Sequence, residues 1–184
     1  YKLCVGTTTM NNKMQGVCYD SPLYVYGKEG QKIHATIHTS VYNDTPAYTN
    51  GYDITIGKNG IMEIQGKTYE NITYNYTPAI KKITPPQYGK IVSKQEAAYV
   101  VKTYAEKLGL NEKETTDIVN VAQQKITSPY AFISFFNHET SHAILPITFT
   151  PQPDNYLNVV FYFKLLNEKP SSTPKEPTFS PFVR

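Results

Sequence analysis

The stretch Tyr156-Leu-Asn-Val-Val-Phe-Tyr-Phe163 decides the fold. Apolar and aromatic side chains follow one another there without the polar alternation of a half-exposed strand. A continuous apolar run of this length is typical of a central strand that is buried on both faces. We therefore expect one face of this strand to pack against helices and the other face against a second sheet.

A pair of helices is predicted between residues 93 and 127. Ser93-Lys-Gln-Glu96 is a capping box, and Gly109 supplies the left-handed residue that ends the first helix. Asn111-Glu-Lys-Glu114 repeats the capping pattern, and Ser128-Pro129 ends the second helix. Apolar residues recur at helical spacing: Ala97, Val100, Val101, Tyr104, Ala105 and Leu108, then Ile118, Val119, Ala122 and Ile126. These stripes are most simply packing faces.

The first 77 residues predict a meander of short strands. Residues 32–39 alternate, with Ile33, Ala35 and Ile37 on one face and His34, Thr36 and His38 on the other. The step Asn59-Gly60 is a strong hairpin signal, and the spacing predicts three antiparallel strands between residues 52 and 76. Pro78, Pro85 and Pro86 then mark a connector that cannot sustain a ladder of hydrogen bonds.

Four prolines after Lys169 predict an extended tail over residues 169–184, either mobile or lying along a neighbouring molecule. The rest of the chain is predicted to be one domain, 1–168. It consists of the meander (1–77), the helix pair (93–127) and further strands (130–166). The expected fold class is α+β, with an antiparallel, sandwich-like β-rich body and a two-helix insertion.

The segment His138-Glu-Thr-Ser-His142 has the H-E-x-x-H spacing of zinc peptidases, in which a helix brings both histidines to one metal and Glu139 acts as the base. Strand-like runs flank it at residues 130–136 and 143–149, and Pro146 follows closely. We therefore predict that these five residues form the loop of a β-hairpin and bind no metal. A zinc-dependent metallopeptidase is the alternative.

The other two histidines, His34 and His38, are also four residues apart. On a strand this spacing separates them by about 13 Å, too far to share one ion. The chain also lacks a G-x-S-x-G elbow, a phosphate-binding glycine loop and a dinucleotide fingerprint. We therefore expect neither an enzyme nor a cofactor.

The composition favours an extracellular β-rich protein. The chain has 16 Tyr, 8 Phe and no Trp, and tyrosine suits strands whose amphipathic side chains face water. Such surfaces occur in adhesive interfaces, and tyrosine platforms in carbohydrate-binding modules are a further alternative. A net charge of +3 with scattered lysines argues against a nucleic-acid partner, and no run reaches the length of a membrane span.

Cys4 and Cys18 are the only cysteines, and we predict that they form a disulfide, with two free thiols as the alternative. Closing a loop of this length stabilises the fold by about 3 kcal/mol. The N-x-T sequons at Asn43, Asn71 and Asn75 agree with an exported chain and are possible glycosylation sites. The only arginine is Arg184, which is consistent either with proteolytic processing or with an arbitrary boundary.

The chain resembles a family of uncharacterised exported bacterial proteins found, among others, in candidate phyla. Six segments carry the likeness and span most of the sequence in order: 21–26, 51–55, 108–114, 129–135, 150–154 and 160–164. The resemblance implies export but no mechanism. Members of the family look as though they continue beyond the equivalent of Arg184 into another apolar segment.

The sequence therefore favours a non-enzymatic extracellular or cell-surface module with a structural or adhesive role. Self-association, or binding to another surface protein, is the expected kind of partnership. One form of it is a strand or tail that completes the sheet of a neighbouring molecule.

Overall fold

A computed structural model describes the backbone of residues 2–7, 15–19 and 21–182, and the side chains from residue 22 to residue 182. Within these residues the chain forms strands and helices in the following order: β1 (Lys2–Thr7), β2 (Gln15–Tyr19), β3 (Ser21–Leu23), β4 (Lys32–Ile37), β5 (Val41–Thr45), β6 (Tyr52–Ile56), β7 (Met62–Ile64), β8 (Lys67–Tyr69), β9 (Ile72–Tyr76), β10 (Lys90–Ser93), α1 (Lys94–Lys107), α2 (Glu112–Lys125), β11 (Tyr130–Phe135), α3 (His138–Ile144), β12 (Ile147–Thr150) and β13 (Val160–Leu166).

The strands form three sheets. The central sheet has the order β10-β11-β13-β1-β2, the outer sheet the order β12-β4-β6-β7-β8, and the small sheet the order β3-β9-β5. Neighbouring strands are antiparallel, except that β1 runs parallel to β13. The fold is therefore α+β, as the sequence predicts.

The predicted central strand forms in part: residues 156–159 of the apolar run precede β13, which spans Val160–Leu166, and residues 160–163 are buried on both faces as predicted. Val160 and Tyr162 belong to a core that includes residues of the outer and small sheets. Phe161 and Phe163, which point the other way, belong to a second core formed with helices α1 and α2. The central sheet thus separates two cores, and β13 contributes to each of them.

The helix pair also forms as predicted, because its signals are local. The backbone N–H of Ser93 donates to Glu96 Oε2 at 3.0 Å, and Asn111 and Glu114 form the second capping box. Gly109 ends α1 with φ +87°. Every residue of the predicted stripe on α1 is buried, as are Ile118, Ala122 and Ile126 of the second stripe.

The meander is confirmed in part. Ile33, Ala35 and Ile37 of β4 are buried and the residues between them are not. Strands β6, β7 and β8 are antiparallel neighbours, and Asn59 lies in the left-handed region of the turn between the first two. The chain then departs from the prediction. Strand β9 leaves this sheet and joins β3 and β5 instead, so the third predicted strand is divided between two sheets.

The hairpin predicted around His138 and His142 is wrong. Residues 138–144 form helix α3, and the strands on either side belong to different sheets, since β11 pairs with β13 and β12 pairs with β4. Asn137 caps the helix by accepting the N–H of Thr140 at 2.8 Å. Pro146 is no obstacle, because the helix ends at Ile144 before the proline ring would clash.

The tail is extended, and within the described residues it packs on the body of its own chain. The backbone of Gly89 donates to the carbonyl of Lys175, and that of Phe182 donates to the carbonyl of Leu108. The tail therefore lies on its own domain, across the exposed edge of β10 and the end of α1. An extended chain has no hydrogen bonds of its own, so the body supplies them.

Candidate functional site

Helix α3 carries the one motif with catalytic spacing, and several of its polar groups attach it to the central sheet. Ser141 Oγ donates to the carbonyl of Phe136 at 3.2 Å and accepts the N–H of Val160 at 3.0 Å. Asn158 Nδ2 donates to the carbonyl of Leu145 at 2.9 Å. The buried Ser141, in the middle of α3, and the buried Asn158, which bonds the residue after α3, thus join the helix to the start of β13.

The two histidines of α3 lie on one face of the helix, as the peptidase alternative requires. Their ring centroids are 6.4 Å apart and their planes differ by 20°. The ring of Tyr156 stands nearly perpendicular to both, with its centroid 5.5 Å from that of His138 and 6.3 Å from that of His142. Glu139 is exposed. The spacing is compatible with two metal ligands, and the tautomer of each ring and the supply of further ligands decide whether a metal can bind.

The hydrogen bond at His138 disfavours coordination through its outer nitrogen. The backbone N–H of Asn158 donates to His138 Nδ1 at 3.3 Å, so this nitrogen must be unprotonated, and a neutral ring carries its proton on Nε2. In zinc sites the nitrogen that does not bind the metal normally donates a hydrogen bond. If Nε2 of His138 bound zinc, the proton of the ring would lie on Nδ1, and this N–H would face the backbone N–H of Asn158. In addition, the described residues contain no group of three His, Cys, Asp or Glu side chains suited to hold a metal.

We expect the protein, purified without chelator, to contain far less than one equivalent of zinc. The expected metal content is the same for His142→Ala, because the hydrogen bond from Asn158 favours the His138 tautomer that does not suit a shared site. Elemental analysis by mass spectrometry measures both proteins. Stoichiometric zinc that is lost in His142→Ala would overturn this expectation and restore the peptidase alternative.

His34 on β4 and His38, the residue that follows β4, each have a separate local partner. His34 Nδ1 lies 2.7 Å from Asp53 Oδ1 on β6, and His38 Nε2 lies 2.7 Å from Thr148 Oγ1 on β12. The two rings therefore point to strands on opposite sides of β4.

A cluster that the sequence does not reveal lies between the segment after β3 and helix α2. The hydroxyl of Tyr26 donates to Glu114 Oε1 at 2.9 Å and accepts Asn111 Nδ2 at 3.0 Å. The hydroxyl of Tyr24 donates to Asp117, and Asn71 Nδ2 lies 3.4 Å from the same hydroxyl. We call Tyr24, Tyr26, Asn71, Asn111, Glu114 and Asp117 the tyrosine ladder. No local signal could have found it, because its members are up to 93 residues apart.

The ladder joins the β-rich body to the helix pair. The two tyrosine rings are parallel within 5°, with centroids 6.4 Å apart, and their hydroxyls reach residues about one helical turn apart on α2. Glu114 also caps α2 by accepting the N–H of Asn111 at 2.8 Å. These carboxylates therefore have structural roles, although Tyr26 keeps half of its surface exposed.

We expect Tyr24→Phe to destabilise the protein by about 1 kcal/mol, because a partly buried carboxylate loses a donor.

Burial raises the pKa of Asp117 above its ordinary value. The folded state therefore favours the protonated form, and the contribution of Asp117 to stability is greatest at low pH and falls as pH rises through the raised pKa. Asp117→Asn should thus be at least as stable as the wild type at pH 7 and lack this pH dependence.

Denaturant unfolding between pH 3 and pH 8 measures both variants. The control is Tyr99→Phe, since Tyr99 is 72 % exposed on α1 and should change stability by less than about 0.5 kcal/mol. A Tyr24→Phe protein as stable as the control would show that the ladder contributes nothing.

The three sequons differ in accessibility. Asn43 is exposed, whereas Asn75 is 7 % exposed on β9 and Asn71 is half-buried in the ladder. A glycan on Asn75 would require space inside the core. Asn43 is therefore the sequon that a folded chain can present to a glycosylating enzyme.

The predicted disulfide lies outside the side chains that the structure describes. The backbone register of β1 and β2 places Cys4 directly opposite Cys18. Directly opposed residues of an antiparallel pair have Cβ atoms about 4.5–5.5 Å apart, close to the separation that a disulfide needs. The disulfide thus remains a prediction, with a favourable register.

An open groove of about 530 Å³ runs between the proline connector, the end of β11 and the tail. Its walls include Pro85, Pro86, Tyr88 and Phe136, and Lys82 is the one charged residue among those that line it. Lys82 and Tyr88 are the ionisable residues among those that line the groove. In the described part of the chain, no helix is both long enough and apolar enough to span a membrane.

Comparisons of the chain with protein-family models, with curated proteins and with solved structures found no match.

Proposed function

We propose that this protein is a non-enzymatic module of the cell surface, with an adhesive or structural role in an assembly. The observation that carries the proposal is the use of the H-E-x-x-H segment as packing. Its helix is attached to β13 through Ser141 and Asn158, and His138 accepts a backbone N–H. The most enzyme-like motif of the chain therefore has a structural explanation.

Exposed tyrosines support a role in binding other surfaces. Tyr26, Tyr88 and Tyr99 are 50 %, 54 % and 72 % exposed, and they lie on different elements of the fold. Tyrosine is enriched at protein interfaces because it buries a large apolar ring while its hydroxyl keeps a hydrogen-bond partner. A module with exposed rings in several segments is suited to contact another surface.

The proposed location is extracellular or at the cell surface. The register of Cys4 and Cys18 supports it, because opposed cysteines on an edge hairpin form a disulfide readily in an oxidising compartment. The family resemblance through six segments points in the same direction.

Protease treatment of intact source cells tests the proposal. Peptides of this chain should be released before lysis, and the purified protein should bind back to the treated cells. A Tyr88→Ser, Tyr99→Ser double variant should bind more weakly, whereas the matched change Thr116→Ala on the exposed face of α2 should not. Recovery of the chain only after lysis would contradict the proposal.

Carbohydrate binding is a second candidate, favoured by the parallel rings of Tyr24 and Tyr26 and by the amide groups beside them. Planar aromatic rings with nearby amides and carboxylates suit a sugar ring, which has apolar faces and polar edges. A glycan array distinguishes the candidates. Binding that is lost in Tyr26→Ala and kept in Tyr99→Ala would favour a carbohydrate-binding module.

A further inference from the structure

The tail lies in a defined seat on its own domain. Its backbone is held at two places, since Gly89 N donates to Lys175 O at 2.8 Å and Phe182 N donates to Leu108 O at 3.0 Å. Lys175 also bridges Tyr88 in parallel orientation. A Cβ atom at Gly109 would lie 2.5 Å from the carbonyl oxygen of Phe182, so the tail requires a glycine there. The backbone contacts thus fix the path of residues 175–182.

Side chains add specific recognition to this path. The ring of Phe179 packs against Tyr104 and Phe135, with centroids 5.2 and 5.4 Å apart, and Lys107 Nζ lies 4.9 Å from the Phe179 centroid. Glu176 accepts the hydroxyl of Tyr104 at 3.0 Å and lies 3.9 Å from Lys90 Nζ. We call Tyr88, Gly89, Lys90, Tyr104, Lys107, Gly109 and Phe135 the tail seat. The seat combines a sheet edge, an aromatic pocket and two cations.

The tail segment has the chemistry of an independent peptide ligand. Pro174-Lys-Glu-Pro177 is a P-x-x-P sequence, and prolines hold such a segment extended before it binds. The entropy lost on docking is correspondingly small. The same eight residues would therefore fit the seat whether or not they belong to the same molecule.

The connection between the body and the seated segment is exposed to solvent. Residues 167–173 are all exposed and form neither helix nor strand. A space of about 180 Å³ lies between this connection and Gly89, Lys90 and Ile91. The main contribution of the connecting residues is therefore their length, which decides whether the tail can reach the seat on its own domain.

The required length follows from the register. Leu166 on β13 pairs with Tyr130 on β11, which pairs with Ser93 on β10. Lys175 lies beside Tyr88, which is five residues before Ser93 in the chain. Lys175 is therefore displaced from Leu166 by five residues along the strand direction and by three spacings between strands. These steps amount to about 16 Å and 14 Å, a direct distance of roughly 22 Å. The nine steps from Leu166 to Lys175 reach about 30 Å. Removing four residues would leave a reach of about 17 Å, which is too short.

We propose that the tail seat is an interaction surface for a second copy of this chain, which binds there through its own residues 175–182. In the exchanged arrangement every contact between tail and tail seat is kept, but it joins two molecules. Only the connection, residues 167–173, therefore decides whether a tail binds its own seat or the seat of a second copy. A short connection keeps the tail near its own seat at an effective concentration on the order of millimolar. Exchange is therefore expected where the protein is crowded, as in a surface assembly, and to this extent it rests on the proposed function.

Deletion of residues 170–173 tests the exchange directly. The shortened chain should be a dimer or larger oligomer at about micromolar concentration by light scattering after gel filtration, because its own seat is out of reach. Insertion of Gly-Ser-Gly-Ser after Ser172 is the matched control and should give monomers. Phe179→Ala in the shortened chain should return it to monomers. A folded, monomeric shortened chain would overturn the proposal.

A second experiment uses the unaltered sequence and does not depend on the folding of the deletion variant. Chains labelled with ¹⁵N and unlabelled chains are mixed at about millimolar concentration and treated with a carbodiimide, which joins Lys90 to Glu176 by an amide bond. Exchange predicts cross-linked peptides in which only one partner is labelled, and dilution a thousandfold before mixing should remove them. Absence of mixed pairs at the high concentration overturns the exchange.

The two proposals can fail separately. Loss of the mixed pairs with the chain still exposed on intact cells would remove the exchange and leave the surface role. Mixed pairs from a chain that is found only inside cells would remove the surface role and keep the exchange.

Discussion

Phe161→Ala should lower the free energy of unfolding by about 3–5 kcal/mol, the largest effect that we expect from a single substitution. Phe161 is fully buried on β13, on the face that packs against the helix pair. Its ring centroid lies 6.3 Å from that of Phe135 and 6.4 Å from that of Phe163. Removing the ring leaves a cavity between the central sheet and the helices. Neither the sheet nor the helices can move to fill this cavity without losing packing contacts of their own.

Denaturant unfolding followed by circular dichroism measures this loss. Lys164→Ala is a control on the same strand, because Lys164 is only half-buried and should change the stability by less than about 1 kcal/mol. A loss below 1 kcal/mol for Phe161→Ala would mean that β13 is not the common wall of the two cores.

Replacing both cysteines by alanine should lower the stability under oxidising conditions by about 3 kcal/mol, through the freedom that the unfolded chain regains between residues 4 and 18. The backbone places Cys4 opposite Cys18, and β1 lies between β13 and β2 in the central sheet. Strand β2 is an edge strand, so it pairs with another strand of this sheet on one side only. Without the covalent link, its hydrogen bonds to β1 have to hold the hairpin.

The wild-type protein in reductant is the matched comparison for this variant. Its midpoint of unfolding should fall to that of the Cys4→Ala, Cys18→Ala protein, and reductant should leave the variant unchanged. Thiol titration of the denatured, unreduced wild type should find no free thiol. Two titratable thiols would show that the predicted disulfide does not form.

The parts of the fold that could be predicted are those whose causes lie close together in the sequence. Ser93 and Glu96 cap one helix and Asn111 and Glu114 the next, three residues apart in each case, and Gly109 ends the first. The alternation along β4 assigns its faces because successive strand residues point in opposite directions. Each of these features needs only the residues that it contains.

The candidate site was harder to predict, because strand and helix compete for the same residues. Aromatic and β-branched residues flank His138 and His142, which favours a hairpin from propensity alone. The competing cause is tertiary: Ser141 and Asn158 bind groups at the start of β13 and at the end of α3. The five motif residues therefore form a helix that carries the chain from the central sheet to the outer sheet.

The sequence by itself determined the class of the fold, the helix pair and the double burial of β13, because periodicity, capping and apolar content are local properties. Tertiary structure decided the partition of strands among three sheets, the tyrosine ladder and the place of the tail. These depend on groups such as Tyr24 and Asp117, or Phe179 and Tyr104, that are distant in the chain. A hydrogen bond or a ring contact between distant residues leaves no periodic trace in either segment, so only the folded chain shows it.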